Sequence, residues 1–297
     1  MNRNNNNQVL FLLHLAVFLA GWTGIFGRLI SLSGLPLVWY RMSISVVTLF
    51  LALLVVRRLH FPERKSLLRI CGCGFILAIH WVAFYASIQA SNVSVGVACI
   101  ATTSFFTALL NIFINKEEAS WKEFIISSIS IAGVLLIFSL DVRYRLGIAL
   151  GLLCAFAYAV FSQLHIRTAK KTGEDSATML LFELLGGFVF LSACIPAFVS
   201  FVPHDSILPS RTEAIWLILL GSVFTILPFL LQLHALRHLS AFTVNLAYNL
   251  EPVYSIALAA VLFGELRELN WSFWLGISLI VVSVLIQTLR VRKRRLD

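Results

Sequence analysis

Apolar residues in this chain gather in windows of about 20 separated by short polar strips, the length of helix needed to cross a bilayer. The windows fall near 9–30, 35–56, 67–90, 93–114, 124–140, 146–166, 177–201, 213–236, 241–263 and 271–289. They predict an all-α polytopic membrane protein with ten transmembrane helices. The first run follows an Asn-rich head with one basic residue, Arg3. It is too long and too weakly basic at its start for a cleaved signal peptide, so it is expected to be retained. Pro36 opens the second run, where a first-turn proline is tolerated.

The same plan occurs twice. Residues 241–263 hold Asn245, Tyr248, Asn249, Glu251 and Pro252 near their middle and close on Gly264-Glu265 before a last run that opens with Trp271. Residues 93–114 hold Thr102, Thr103 and Ser104 near their middle, are followed by Glu117-Glu118, and precede a run that Trp121 introduces. Two five-helix repeats, 1–145 and 146–297, are therefore expected. Five is odd, so the second repeat must enter the membrane upside down relative to the first. Inverted repeats are the usual basis of alternating access, because exchanging the conformations of the halves moves an opening from one face to the other.

Composition sharpens this picture. Of 297 residues, 59% are apolar and only 12% charged, against about 25% charged in soluble domains. The formal charge of +9 invites a nucleic-acid partner, but its distribution argues against one. Lysines and arginines crowd the connectors on the side of the two chain ends, as in Arg57-Arg58, Arg64-Lys65, Lys170-Lys171 and the tail from Arg290 to Arg295. The opposite connectors hold only Arg143, Arg145, Arg211 and Arg267. This bias puts both termini in the cytoplasm of a multi-pass protein, expected in a bacterial cytoplasmic (inner) membrane. The five cysteines lie in or beside apolar runs and read as small buried hydrophobes; Cys71 and Cys73 lack a second pair to complete a metal site.

The stretch Asn249-Leu250-Glu251-Pro252-Val253, followed by Leu262-Phe263-Gly264-Glu265 and a last run beginning Trp271-Ser272-Phe273-Trp274-Leu275-Gly276, resembles the drug/metabolite transporter superfamily in its EamA-type ten-helix branch. Glu117-Glu118 and Ala132-Gly133-Val134 echo the pattern in the first half. The resemblance implies inverted five-helix repeats, a central cavity lined mainly by spans one, three, four, six, eight and nine, and transport of small metabolites, with export as the expected direction. Where such proteins often carry a proline in span four, this chain has Thr103-Ser104; hydroxyls can also loosen a helix.

Candidate binding residues follow from polar groups placed inside apolar runs. Pro252 removes a helical hydrogen bond and should bend or open span nine beside Tyr248, Asn249 and Glu251, which then line a cavity or satisfy one another. Asn245 lies one turn earlier, on about the same face as Asn249. Arg41 and Glu183 sit at comparable depths in equivalent spans of the two repeats, each at a cost of roughly 2.5 to 3.5 kcal/mol if it faced hydrocarbon. Arg41 either contacts an anionic substrate group or snorkels; Glu183 serves the cavity or a proton, or pairs structurally. His80, with Trp81, Phe84 and Tyr85 beyond it, suits proton exchange or packing. Trp22 and Tyr158 are candidates for two sides of an aromatic wall. Gln89, Gln163 and Gln232 read as interface groups, and Gly147, Gly151, Gly186 and Gly187 as points of close helix contact.

The rival classes are an integral-membrane enzyme and a non-transport scaffold or channel. The sequence has no HExxH, GxSxG or P-loop pattern, and a scaffold gives the duplication no purpose. With no ATP-binding segment, the expected function is a secondary transporter with no cofactor and no metal. The expected partners are a small-molecule substrate such as an amino acid or related amphiphile, the lipid bilayer, and a proton as candidate coupling ion, with the chain acting as a monomer or weak dimer.

Overall fold

Long apolar runs leave the backbone no partner but itself in a bilayer, so helices are the expected solution. The computed structural model describes residues 3–91, 93–114, 121–138, 145–201, 207–263 and 271–293, and these contain helices and no strands. In chain order the helices are α1 (Arg3–Ala20), α2 (Trp22–Leu29), α3 (Gly34–Val55), α4 (Arg64–Ala90), α5 (Val93–Ile100), α6 (Thr103–Ile114) and α7 (Trp121–Phe138). The second half continues with α8 (Arg145–Thr172), α9 (Ser176–Phe201), α10 (Arg211–Ser222), α11 (Ile226–His238), α12 (Ala241–Ala247), a 3-10 turn (Tyr248–Leu250), α13 (Glu251–Phe263) and α14 (Trp271–Lys293). Glu117, Glu118 and Glu265, which follow the two equivalent apolar runs in the sequence, lie outside the described residues.

Among the described residues, six helical stretches are long and apolar enough to cross a membrane: Asn7–Leu29, Gly34–Val55, Arg64–Ala90, Arg145–Thr172, Ser176–Phe201 and Arg211–His238. Of the other apolar runs, 93–114 and 241–263 are divided into shorter helices, while α7 and α14 are each continuous. Each interruption has a local cause. Gly21 lies between α1 and α2, where a Cβ would stand 2.9 Å from Tyr254 Cβ of α13. Between α5 and α6, the Thr102 hydroxyl turns back onto the Cys99 carbonyl at 2.7 Å and takes over an acceptor that a continuing helix would use. Between α10 and α11, Thr225 Oγ1 likewise donates to the Leu220 carbonyl at 2.7 Å. Pro252 is the second residue of α13, where its missing N–H is not needed, so the 3-10 turn before it completes the break.

Polarity is inside out relative to a soluble protein. Val55, Phe201 and Val261 are 80%, 86% and 77% exposed, while Arg41, Glu183, Asn245 and Asn249 are at most 2% exposed. Apolar surface facing outward and polar groups facing the bundle suit a lipid solvent. The chain is a multi-pass membrane protein. Glycine sets the closest crossing: a Cβ on Gly74 of α4 would lie 1.9 Å from the Glu183 carbonyl oxygen of α9. On the facing side, Gly186 and Gly187 meet Cys71 and Met42. Helices α7 and α14 cross at Gly133, whose Cβ would meet the Gly276 carbonyl at 2.6 Å, and are joined there by a Ser130–Ser283 hydroxyl contact of 2.6 Å.

The connectors 57–63 and 173–175 are tied together at one end of the bundle. His60 Nε2 lies 2.5 Å from Glu174 Oε2, and Arg237 donates to the Glu174 carbonyl. The bond to Glu174 raises the His60 pKa above its ordinary value of about 6.5. This contribution to stability is therefore complete below about pH 6.5 and fades as pH rises through the raised value. The wild-type thermal midpoint should fall between about pH 6 and pH 8.5, and His60→Gln should flatten that slope; an equal slope in the variant would contradict the tie. The ligand atoms of His60, Glu174 and Asp175 lie within 4.8 Å of one another, but each is already engaged. Asp175 caps α9 by accepting from the Ala177 amide at 2.9 Å and the Thr178 hydroxyl at 2.6 Å.

Candidate functional site

The broken helices converge on one cavity. The stretch Arg3–Leu29, α4, α5 with α6, α8, α10 with α11, and α12 with α13 all contribute walls, and α3 contributes Arg41. A broken helix is suited to this position, because irregular backbone at membrane depth is tolerated where it lines a cavity. The free volume is about 50 Å³, room for a few waters. A metabolite would need the walls to part.

Arg41 is the best-braced side chain of the site. Its Nε donates to Thr225 Oγ1 at 2.8 Å, its Nη1 donates to Tyr85 Oη at 3.2 Å, and its guanidinium carbon lies 3.8 Å from the Trp81 ring centroid. Stacking and two directional bonds fix the plane of the guanidinium. Glu251, the first residue of α13, lines the same cavity and is 6% exposed. No ion pair joins Arg41 and Glu251 among the described residues. An arginine and a glutamate thus share a small cavity without their polar ends meeting at contact distance.

Around them, His80 has Nδ1 3.0 Å from the Cys154 carbonyl, an acceptor only, so the imidazole places a proton on Nδ1. Its ring lies 4.6 Å from that of Tyr158, another lining residue. Trp81, Phe84, Phe224, Phe229 and Tyr248 complete an aromatic wall. Asn245 donates from Nδ2 to Thr107 Oγ1 at 2.8 Å and Ser162 Oγ at 3.0 Å. Buried Asn245 Oδ1 and Thr103 Oγ1 lack a protein partner. Buried polar atoms of that kind are normally satisfied, so they mark where water or a ligand group belongs.

Of the residues singled out from the sequence, Arg41, His80, Tyr158, Asn245, Tyr248 and Glu251 come together on the cavity. Tyr85 stands behind Arg41 as its brace. Trp22 is not on the wall: its ring packs 5.7 Å from Phe224, which takes the lining position. Asn249 turns away, donating to Ser130 Oγ at 2.8 Å, because the 3-10 turn changes the angular phase between it and Asn245. Glu183 is also elsewhere, 2.8 Å from His165 Nδ1 between α8 and α9. Gln232, read as an interface group, lines the cavity instead. Trp81, Thr225 and His165 were not distinguished as partners by sequence pattern.

A model of the EamA-like transporter family matches residues 7–139 and again 145–289. The chain belongs to the EamA-like transporter family. It is 27% identical over 238 residues to the uncharacterized transporter YdfC of Bacillus subtilis (strain 168), covering 77% of this chain and 74% of YdfC. It is 24% identical over 295 residues to the uncharacterized transporter YwfM of the same organism, covering 98% and 96%. A solved crystal structure superposes with a TM-score of 0.73 at 16% identity, covering 95% of this chain and 98% of the other, a likeness of fold. For a member of this family, the cavity just described is the candidate substrate site.

Proposed function

We propose that this protein is a secondary transporter of small zwitterionic metabolites, amino acids and related amphiphiles, and that it exports them across a bacterial cytoplasmic membrane by alternating access. The observation that carries this reading is the unpaired placement of Arg41 and Glu251 in one aromatic-walled cavity. A carboxylate bound by the fixed guanidinium and an ammonium bound by Glu251 would neutralise both buried charges at once. The aromatic wall would then cover the apolar part of the same molecule.

The ten-span topology with cytoplasmic termini and the repeats 1–145 and 146–297 belong to the same proposal. In that arrangement the runs 93–114 and 241–263 are equivalent, and both are broken near their middle. The run 211–238 is broken, whereas its counterpart α4 is continuous; 3–29 is broken at Gly21, whereas its counterpart α8 is continuous. Unequal conformations of equivalent elements are what alternating access by exchange between halves requires. The chain is taken to work as a monomer or weak dimer, without cofactor or metal and without enzymatic turnover. Uptake and efflux by proteoliposomes across a panel of amino acids, purine derivatives and cationic drugs test this. Movement of amino acids that is lost in Glu251→Gln supports the reading; movement of cationic drugs alone would refute it.

A further inference from the structure

A second buried acid–base pair lies outside the cavity. His165 on α8 and Glu183 on α9 have side chains 1% and 0% exposed, with Nδ1 and Oε1 2.8 Å apart. The other polar atom of each, His165 Nε2 and Glu183 Oε2, is also buried and has no hydrogen-bond partner. A structural ion pair at this depth is normally finished by further hydrogen bonds, because otherwise desolvation outweighs attraction. With Nε2 bare and the carboxylate ionised, the pair carries one net negative charge in an apolar interior. One proton on Nε2 makes it an imidazolium–carboxylate pair with no net charge. A single proton thus decides whether this interior site carries a net charge.

Among the described residues, the elements packed against the pair supply no other counter-charge. Helix α4 presents the thiols of Cys71 and Cys73, the latter 3.5 Å from Thr168 Oγ1 of α8. Helix α3 offers Met42 against Gly187 of α9, while its Arg41 is engaged with Thr225 and Tyr85. Helix α11 turns Gln232 inward and leaves His234 and Arg237 exposed. The pair also stands between two other polar groups. Thr178, about one and a half turns before Glu183 on α9, contacts Asp175 at 2.6 Å and His60 at 3.4 Å at the connector end. Tyr158, about two turns before His165 on the same face of α8, lines the cavity together with Glu251.

We propose that the His165–Glu183 pair is the proton-binding site through which this transporter senses a pH gradient. The coupling rests on the transport reading above; the proton site itself does not. An N–H bond forms at His165 Nε2 as an O–H bond of hydronium breaks in the water on one face, and the reverse exchange returns the proton to water on the other.

Two measurements test it. In detergent-solubilised protein labelled with [15N]histidine, the resonance missing from His165→Gln should move between the imidazole and imidazolium positions as pH is varied. In Glu183→Gln its proton affinity should drop about tenfold or more. A His165 signal that does not titrate in the wild type overturns the proton site. In proteoliposomes supplied with a neutral zwitterionic amino acid, Glu183→Gln should retain exchange at equal pH and lose accumulation driven by a pH gradient, and His165→Gln should do the same. Accumulation equal to wild type in both variants overturns the coupling. If the wild type moves no amino acid, the transport reading and the coupling fall together, and the resonance alone decides the proton site. Circular dichroism and gel filtration establish that each variant is folded.

Discussion

Arg41→Lys is expected to weaken substrate binding by about 2 to 3 kcal/mol, roughly 30- to 150-fold, although the charge is retained. The guanidinium works through its shape. It stacks at 3.8 Å on Trp81 while Nε and Nη1 are held by Thr225 and Tyr85, which leaves the outer edge of the fork to meet a carboxylate. A lysine offers a point charge that cannot satisfy Thr225 and Tyr85 together or stack in the same way. Arg41→Ala should abolish binding and also destabilise the protein, since Glu251 then remains buried without a nearby cation. Adding Glu251→Ala to Arg41→Ala should recover stability but not transport. Ligand titration and thermal unfolding of the three variants check these outcomes; wild-type affinity in Arg41→Lys would show that the guanidinium does not contact the ligand.

Gly74→Leu is expected to prevent assembly. The added Cβ would lie 1.9 Å from the Glu183 carbonyl oxygen and 2.9 Å from the Gly187 nitrogen, both backbone atoms that no rotamer change can move. Helices α4 and α9 would have to separate, and this loosens the packing around both the cavity and the His165–Glu183 pair. Gly74→Ala should be milder, about 1 to 3 kcal/mol as for overpacked cores. Gly72 is the internal control, because a Cβ there meets nothing within 4 Å. Size-exclusion profiles and melting temperatures in detergent should place Gly72→Ala with the wild type, Gly74→Ala below it, and Gly74→Leu in the aggregate. A monodisperse Gly74→Leu would mean that the α4–α9 crossing is wider than described.

Much of this was readable from sequence because a bilayer imposes simple rules. Hydrophobic length and the sidedness of Arg and Lys locate helices and their ends, and a charge inside an apolar run must face protein or water. Arg41, Glu183 and Glu251 stood out for that reason. Partners were not readable, because helical periodicity says which residues share a face but not which helix that face meets. Glu183 thus gave no sign that it would pair with His165, a residue near a basic connector where a polar side chain draws little notice. The roles of Trp81 and Thr225 as braces of Arg41 became visible only when α4 and the α10–α11 break were brought beside it. Asn245 and Asn249 show a different limit: regular spacing put them on one face, and the 3-10 turn between them sent one to the cavity and the other to Ser130.

The central claim is that Arg41 and Glu251 together recognise a zwitterion. The most direct test is counterflow in proteoliposomes preloaded with a transported amino acid, challenged outside with that amino acid, with the amine lacking its carboxylate, and with the acid lacking its amino group. The account predicts that only the zwitterion exchanges, with each truncated analogue losing about tenfold or more as one buried charge is left unpaired. Equal exchange of the amine or the acid would contradict it, because one of the two charges would then have no part in recognition.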